Sequence, residues 1–123
     1  MGCGSGGKLS ANALSKQAES LQSVAAEGGL LAQDAVSGKT TRILTREHSS
    51  YLFKAASQGE SSLQSAKTEP ALEPKLRELT VLARRVSADL DRLGGASKEE
   101  QRTLGRELQA AAQVTKKIDE GLK

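Results

Sequence analysis

The chain predicts an all-α fold, an up-down-up-down antiparallel four-helix bundle. Three observations predict it. Four segments carry apolar residues at alternating steps of three and four. Clear breakers separate them, at Gly38, at Pro70 to Pro74 and at Gly94-Gly95. No segment alternates apolar and polar residues with β-branched enrichment. Helices of ~25 residues are each ~37 Å long, and short connections force neighbours to run antiparallel. Seams with heptad spacing favour shallow, left-handed crossing. An alternative with the same pattern is a pair of helical hairpins that complete their cores by dimerising. The Ala- and Gly-rich first two segments keep it open.

The first segment starts at Ser10, a good N-cap, and runs to about Ser37. Leu14, Ala18, Leu21, Ala25, Gly28, Ala32 and Ala35 form its stripe, widened by Val24 and Leu31. Gly38 stops it. The Gly28-Gly29 pair costs ~1 kcal/mol per residue in helix propensity, so it either kinks the helix or admits a close neighbour. The second segment begins at Lys39 to Thr41 and runs to about Lys67. Leu44, His48, Tyr51, Leu52, Ala55, Gly59, Leu63 and Ala66 are expected to share its inner face.

The third segment follows Thr68 to Pro74, with Pro74 suited to the first helical turn. Its stripe is the cleanest: Leu72, Leu76, Leu79, Ala83, Val86, Leu90 and Leu93. Glu73–Arg77 and Arg85–Asp89 are spaced as exposed helical pairs. The fourth segment opens on Ser97-Lys98-Glu99-Glu100, the pattern of a capping box. Leu104, Leu108, Ala111, Thr115, Ile118 and Leu122 follow on one face, with Val114 beside them.

Composition narrows the function. The chain has 123 residues, enough for one domain. With one Tyr, one Phe and no Trp, its core must be built from Leu, Val, Ile and Ala. The single Cys excludes an internal disulfide and a cysteine-based zinc site. The net charge of +3 is evenly mixed. Residues 1–67 carry seven basic and five acidic side chains, and residues 68–123 carry eleven and ten. With no aromatic interleaving near Arg84-Arg85 or Lys116-Lys117, nucleic acid is not an expected partner. No apolar run approaches a membrane span.

The N-terminus, Met1-Gly2-Cys3-Gly4-Ser5-Gly6-Gly7, reads as a tether over residues 1–9, ahead of a bundle over 10–123. Two lipid chemistries suit it. Gly2 after Met permits myristoylation, although the sixth residue is Gly6 rather than Ser or Thr, and Cys3 would supply a second chain. Alternatively, Gly2-Cys3-Gly4-Ser5-Gly6-Gly7 resembles the lipidation region of bacterial lipoproteins, where a small residue precedes a lipidated Cys. With its Ala-, Arg- and Leu-rich body, the chain resembles the small lipoproteins of actinobacteria. That resemblance implies lipid on Cys3 and a place on the outer face of the cytoplasmic membrane, and it implies no activity. Eukaryotic acylation would instead place the chain on an inner leaflet. Without lipid, Cys3 is an incidental thiol and the chain a cytosolic coiled-coil-like oligomer.

The candidate site is His48. Equal steps either side of a turn near Ser37-Gly38 pair it with Glu27, and Asp34 with Arg42. A carboxylate beside an imidazole is how metal and acid–base sites begin. The competing reading is a boundary histidine that specifies register. No Glu-x-x-His of the di-metal bundles is present, no Ser lies in a nucleophile elbow, and Gly38-Lys39-Thr40 lacks the earlier glycine of a phosphate-binding loop, Gln33 standing there. The expectation is a membrane-tethered, non-enzymatic module with no cofactor or metal and a structural or protein-interaction role, through another protein or self-association. A small-ligand or metal-binding bundle using His48 and Glu27 is the alternative.

Overall fold

The computed structural model describes residues 8–123. Four helices form an antiparallel bundle: α1 (Ala11–Val36), α2 (Arg42–Gln64), α3 (Glu73–Leu93) and α4 (Lys98–Leu122). α1 packs most extensively on α4, and α2 on α3. The α1–α2 and α3–α4 seams are thinner, and α1 reaches α3 across the diagonal. One chain therefore closes the four-helix core by itself. The loops joining α1 to α2 and α3 to α4 define an upper end, and the α2–α3 connection lies at the lower end. None of these helices is long and apolar enough to cross a membrane.

Local signals set the helix ends. Ser10, Thr41 and Ser97 cap α1, α2 and α4, their hydroxyls accepting from the amides of Ala13, Leu44 and Glu100. At α4 the capping box is complete, because the Ser97 amide donates to the Glu100 carboxylate at 3.2 Å. α1 ends in a Schellman motif. The Lys39 amide donates to the Asp34 carbonyl at 2.8 Å, and the Gly38 amide to Ala35 at 3.2 Å. Gly38 takes φ +76°, which a side chain would strain.

The core is aliphatic. Leu14, Leu52, Leu79, Leu90, Leu93, Leu104 and Leu108 are fully buried, with alanines between them. α1 continues as helix through Gly28-Gly29, and the pair serves close approach. A Cβ on Gly28 would lie 2.8 Å from Leu90 Cδ2 and 3.1 Å from Leu108 Cδ1. A Cβ on Gly29 would lie 2.7 Å from Gln109 Cγ. Across the seam, one on Gly105 would lie 2.9 Å from Ala32 Cβ. Backbone thus meets backbone between the first helix and the last.

Four expectations need correction. The buried face of α2 is Thr45, Ser49, Leu52, Ala56 and Leu63, which keeps Leu52 and Leu63 of the predicted stripe and is turned from the rest. Leu44 and Tyr51 are exposed, and His48 is too. The cause is space: a Cβ on Gly94 would sit 2.8 Å from Ser49 Oγ, so α2 meets the end of α3 through small side chains. Val114, expected beside the α4 stripe, is exposed. Asp89, expected in an exposed pair, is buried. Finally, Lys8 and Leu9 fall within the expected tether. They form a two-residue strand, β1 (Lys8–Leu9), parallel to β2 (Lys67–Thr68). The Thr68 hydroxyl donates to the Leu9 carbonyl at 2.9 Å, and α2 ends at Gln64, short of the expected Lys67.

The glycines yield a test of opposite signs. Gly59 lies within α2 with open space where a Cβ would go. Gly59→Ala should stabilise by about 0.5–1 kcal/mol through helix propensity. Gly105→Ala gains the same propensity but must push Ala32 away, and overpacking costs about 1–3 kcal/mol. It should be net destabilising. Urea melts of both variants decide; a stabilised Gly105→Ala protein would contradict the packing of α1 on α4.

Candidate functional site

The bundle brings the predicted pair together. His48 Nε2 lies 3.7 Å from Glu27 Oε2, across the seam between α1 and α2. Both side chains are about half exposed. An ion pair there forms only when the imidazole is protonated, and in high dielectric it is worth at most about 1 kcal/mol. Among the described residues, no cluster of three or more His, Cys, Asp or Glu side chains is placed to hold a metal ion. The half-exposed pair is a contact at the bundle surface, at matching levels of the hairpin. Asp34 and Arg42 form no ion pair with each other. Cys3 and Gly2 lie outside the described residues.

The buried polar chemistry lies elsewhere. Near the lower end of the α1–α4 seam, the Ser15 hydroxyl donates to the buried Asp119 carboxylate. Lys123 Nζ closes over that carboxylate at 3.6 Å and reaches Glu19 at 3.3 Å. Its hydrogen bond to Glu19 and the nearby Asp119 charge hold the Lys123 ammonium above its ordinary range. One turn before Asp119, the buried Thr115 hydroxyl donates to the Ala111 carbonyl at 2.7 Å. These groups clasp the start of α1 to the end of α4. They include no histidine and no free nucleophile.

Asp89, on α3, is only 5% exposed. Burial pushes its carboxyl up to about 6, and the Glu107 carboxylate adds to the push, while Arg92 and Arg85 pull it back. Ser87, two residues earlier, has a buried hydroxyl oxygen with no hydrogen-bond partner. The sequence placed Asp89 on an exposed flank because it stands four residues after Arg85. Its actual place, one position off the Val86–Leu90 stripe, is available to that periodicity only through the width of the buried face.

Compared with known protein families, with curated proteins and with solved structures, the chain matches none. What the fold defines is the class: an all-α antiparallel bundle whose interior is filled by aliphatic side chains.

Asp89 makes stability depend on pH. Its folded value of about 6 lies above the ~3.9 of an unfolded aspartate. The folded state therefore binds the extra proton, and the stabilisation from protonation is present below the unfolded value and lost as pH rises through about 6. Asp89→Asn should raise stability at pH 7.5 by about 2–3 kcal/mol and leave it nearly unchanged at pH 3.5. Denaturant melts at the two pH values check this; equal effects at both would show that Asp89 does not titrate in the folded bundle.

Proposed function

We propose that the chain is a non-enzymatic helical module, held at a membrane by lipid on Cys3, with Gly2 as the alternative acceptor, and that it binds another protein through the outer side of α2. The observation that carries the reading is a set of large apolar side chains left outside the closed core. Ile43 is 71% exposed, Leu44 56% and Tyr51 69%. Helical spacing puts all three on one side of α2, around Glu47 and His48. Scattered exposed apolar residues are ordinary, whereas a group on one helix face suits a partner surface. An aromatic flanked by aliphatic anchors is the composition of binding hot spots.

The tether supports the same reading. Lys8 and Leu9 are paired to Lys67 and Thr68 at the lower end of the bundle. A chain anchored through Cys3 would have that end nearest the lipid, with Lys8 and Lys67 side by side toward the headgroups. The segment Ile43 to Tyr51 begins at the opposite end, directed away from the membrane. The lipoprotein-like Gly-Cys-Gly-Ser-Gly-Gly segment supports an outer face of a bacterial cytoplasmic membrane as the location.

Two measurements test the two halves. Intact mass of the protein taken from native membranes should show acyl mass on Cys3. An unmodified chain recovered from the soluble fraction would contradict the anchor. Leu44→Ser with Tyr51→Ser should leave stability within about 0.5 kcal/mol, as for surface changes, and abolish co-purification of the partner after crosslinking. Retention of the same crosslinked partner by the variant would contradict the docking face.

A further inference from the structure

We infer that the upper end of the bundle holds a binding cleft for a small phosphate-bearing anion. The cleft has a volume of about 470 Å³ and opens between the start of α2, the α3–α4 loop and the start of α4. That volume lies within the range of small-ligand sites. Three cations line it: Arg42 and Arg46, one turn apart on α2, and Lys98 at the first position of α4. None of the three makes an ion pair among the described residues. Glu100 is the one carboxylate in the lining. It is occupied by the Ser97 amide at 3.2 Å and faces Arg92 at 3.9 Å.

The chemistry of the walls selects the ligand. Two guanidinium groups offer forked donors that fit tetrahedral oxyanions, and the ammonium adds a point charge. Thr40 and Ser97 stand in the same lining. No aromatic side chain is there to stack a base, so the phosphate rather than a nucleobase is the recognised group. The start of α2, with no acidic residue in its first turn, adds a positive dipole end, whereas that of α4 is offset by Glu99 and Glu100. A neighbouring concavity shares Gln101 and brings Lys39, Arg102 and Arg106 against one carboxylate, Asp34. Glu47, Asp91 and Glu99 stand at the same end outside these two linings, so the cationic character belongs to the cleft walls. This cleft is independent of the lipid anchor and of the α2 face proposed above.

The test is titration of the full chain with inorganic phosphate, and separately with O-phosphoserine, followed by amide chemical shifts at constant ionic strength against chloride. Saturable shifts are expected at Thr45, Arg46, Ala96 and Ser97, in the millimolar range or tighter. Arg46→Gln and Lys98→Gln should each weaken binding about tenfold, the effect of losing one charge-assisted bond. Lys116→Gln, toward the other end, should leave it unchanged. The three side chains altered are exposed, so an unchanged melting temperature will show that the variants fold. Tighter binding of phosphoserine than phosphate assigns the site to a phosphomonoester on a larger molecule, and equal binding to free phosphate. Shifts no larger than those from chloride, or unaffected by both cleft variants, would overturn the inference.

Discussion

The close approach of α1 to α4 is the constraint on which the bundle rests. These are the first and last helices, so their pairing closes the ring and must be bought without any covalent link between them. Small residues make it possible. Gly29 and Ala32 on α1 meet Gly105 on α4, with no room for a further methyl at Gly105. Gly28 meanwhile receives Leu90 and Leu108, which fill the space its missing side chain leaves. Each glycine weakens its own helix, and burial of leucines around the contact offsets that cost. The α2–α3 hairpin packs against this closely spaced pair.

Polar groups fix what the aliphatic core leaves free. Leucines and alanines tolerate sliding, and a bundle built from them needs markers of register. Ser15 on Asp119, with Lys123 over both Asp119 and Glu19, is such a marker at the lower end of the α1–α4 seam. Pairing of Lys8 and Leu9 with Lys67 and Thr68 is another, tying the entry to α1 to the α2–α3 connection. Asp89 acts in the opposite sense, because a buried carboxylate beside Glu107 lowers stability once it is ionised.

The parts legible in the sequence were those where one side-chain type dominates. α3 and α4 follow their leucine stripes, and their ends follow Pro74, Gly94 and the Ser97–Glu100 box. The level of His48 against Glu27 was legible too, since a short turn imposes it. α2 follows the predicted stripe only at Leu52 and Leu63, because its other inward residues are the small Thr45, Ser49 and Ala56, while Ile43, Leu44 and Tyr51 face out. Periodicity weighs hydrophobicity, whereas this seam is selected by size. The β1–β2 pairing spans two residues per strand and carries no periodic signal. The upper cleft joins residues more than fifty positions apart, Arg42 and Lys98 among them, which no local motif reports.

The close contact between α1 and α4 is tested most directly by a double-mutant cycle on Ala32 and Gly105. Ala32→Gly removes the methyl that a Cβ at position 105 would strike at 2.9 Å. The account predicts that Gly105→Ala is harmful with Ala32 present and far less so with Gly at 32, a coupling of at least about 1 kcal/mol in denaturant melts. Additive effects, with coupling below about 0.3 kcal/mol, would mean that α1 and α4 do not meet there, and would contradict the account.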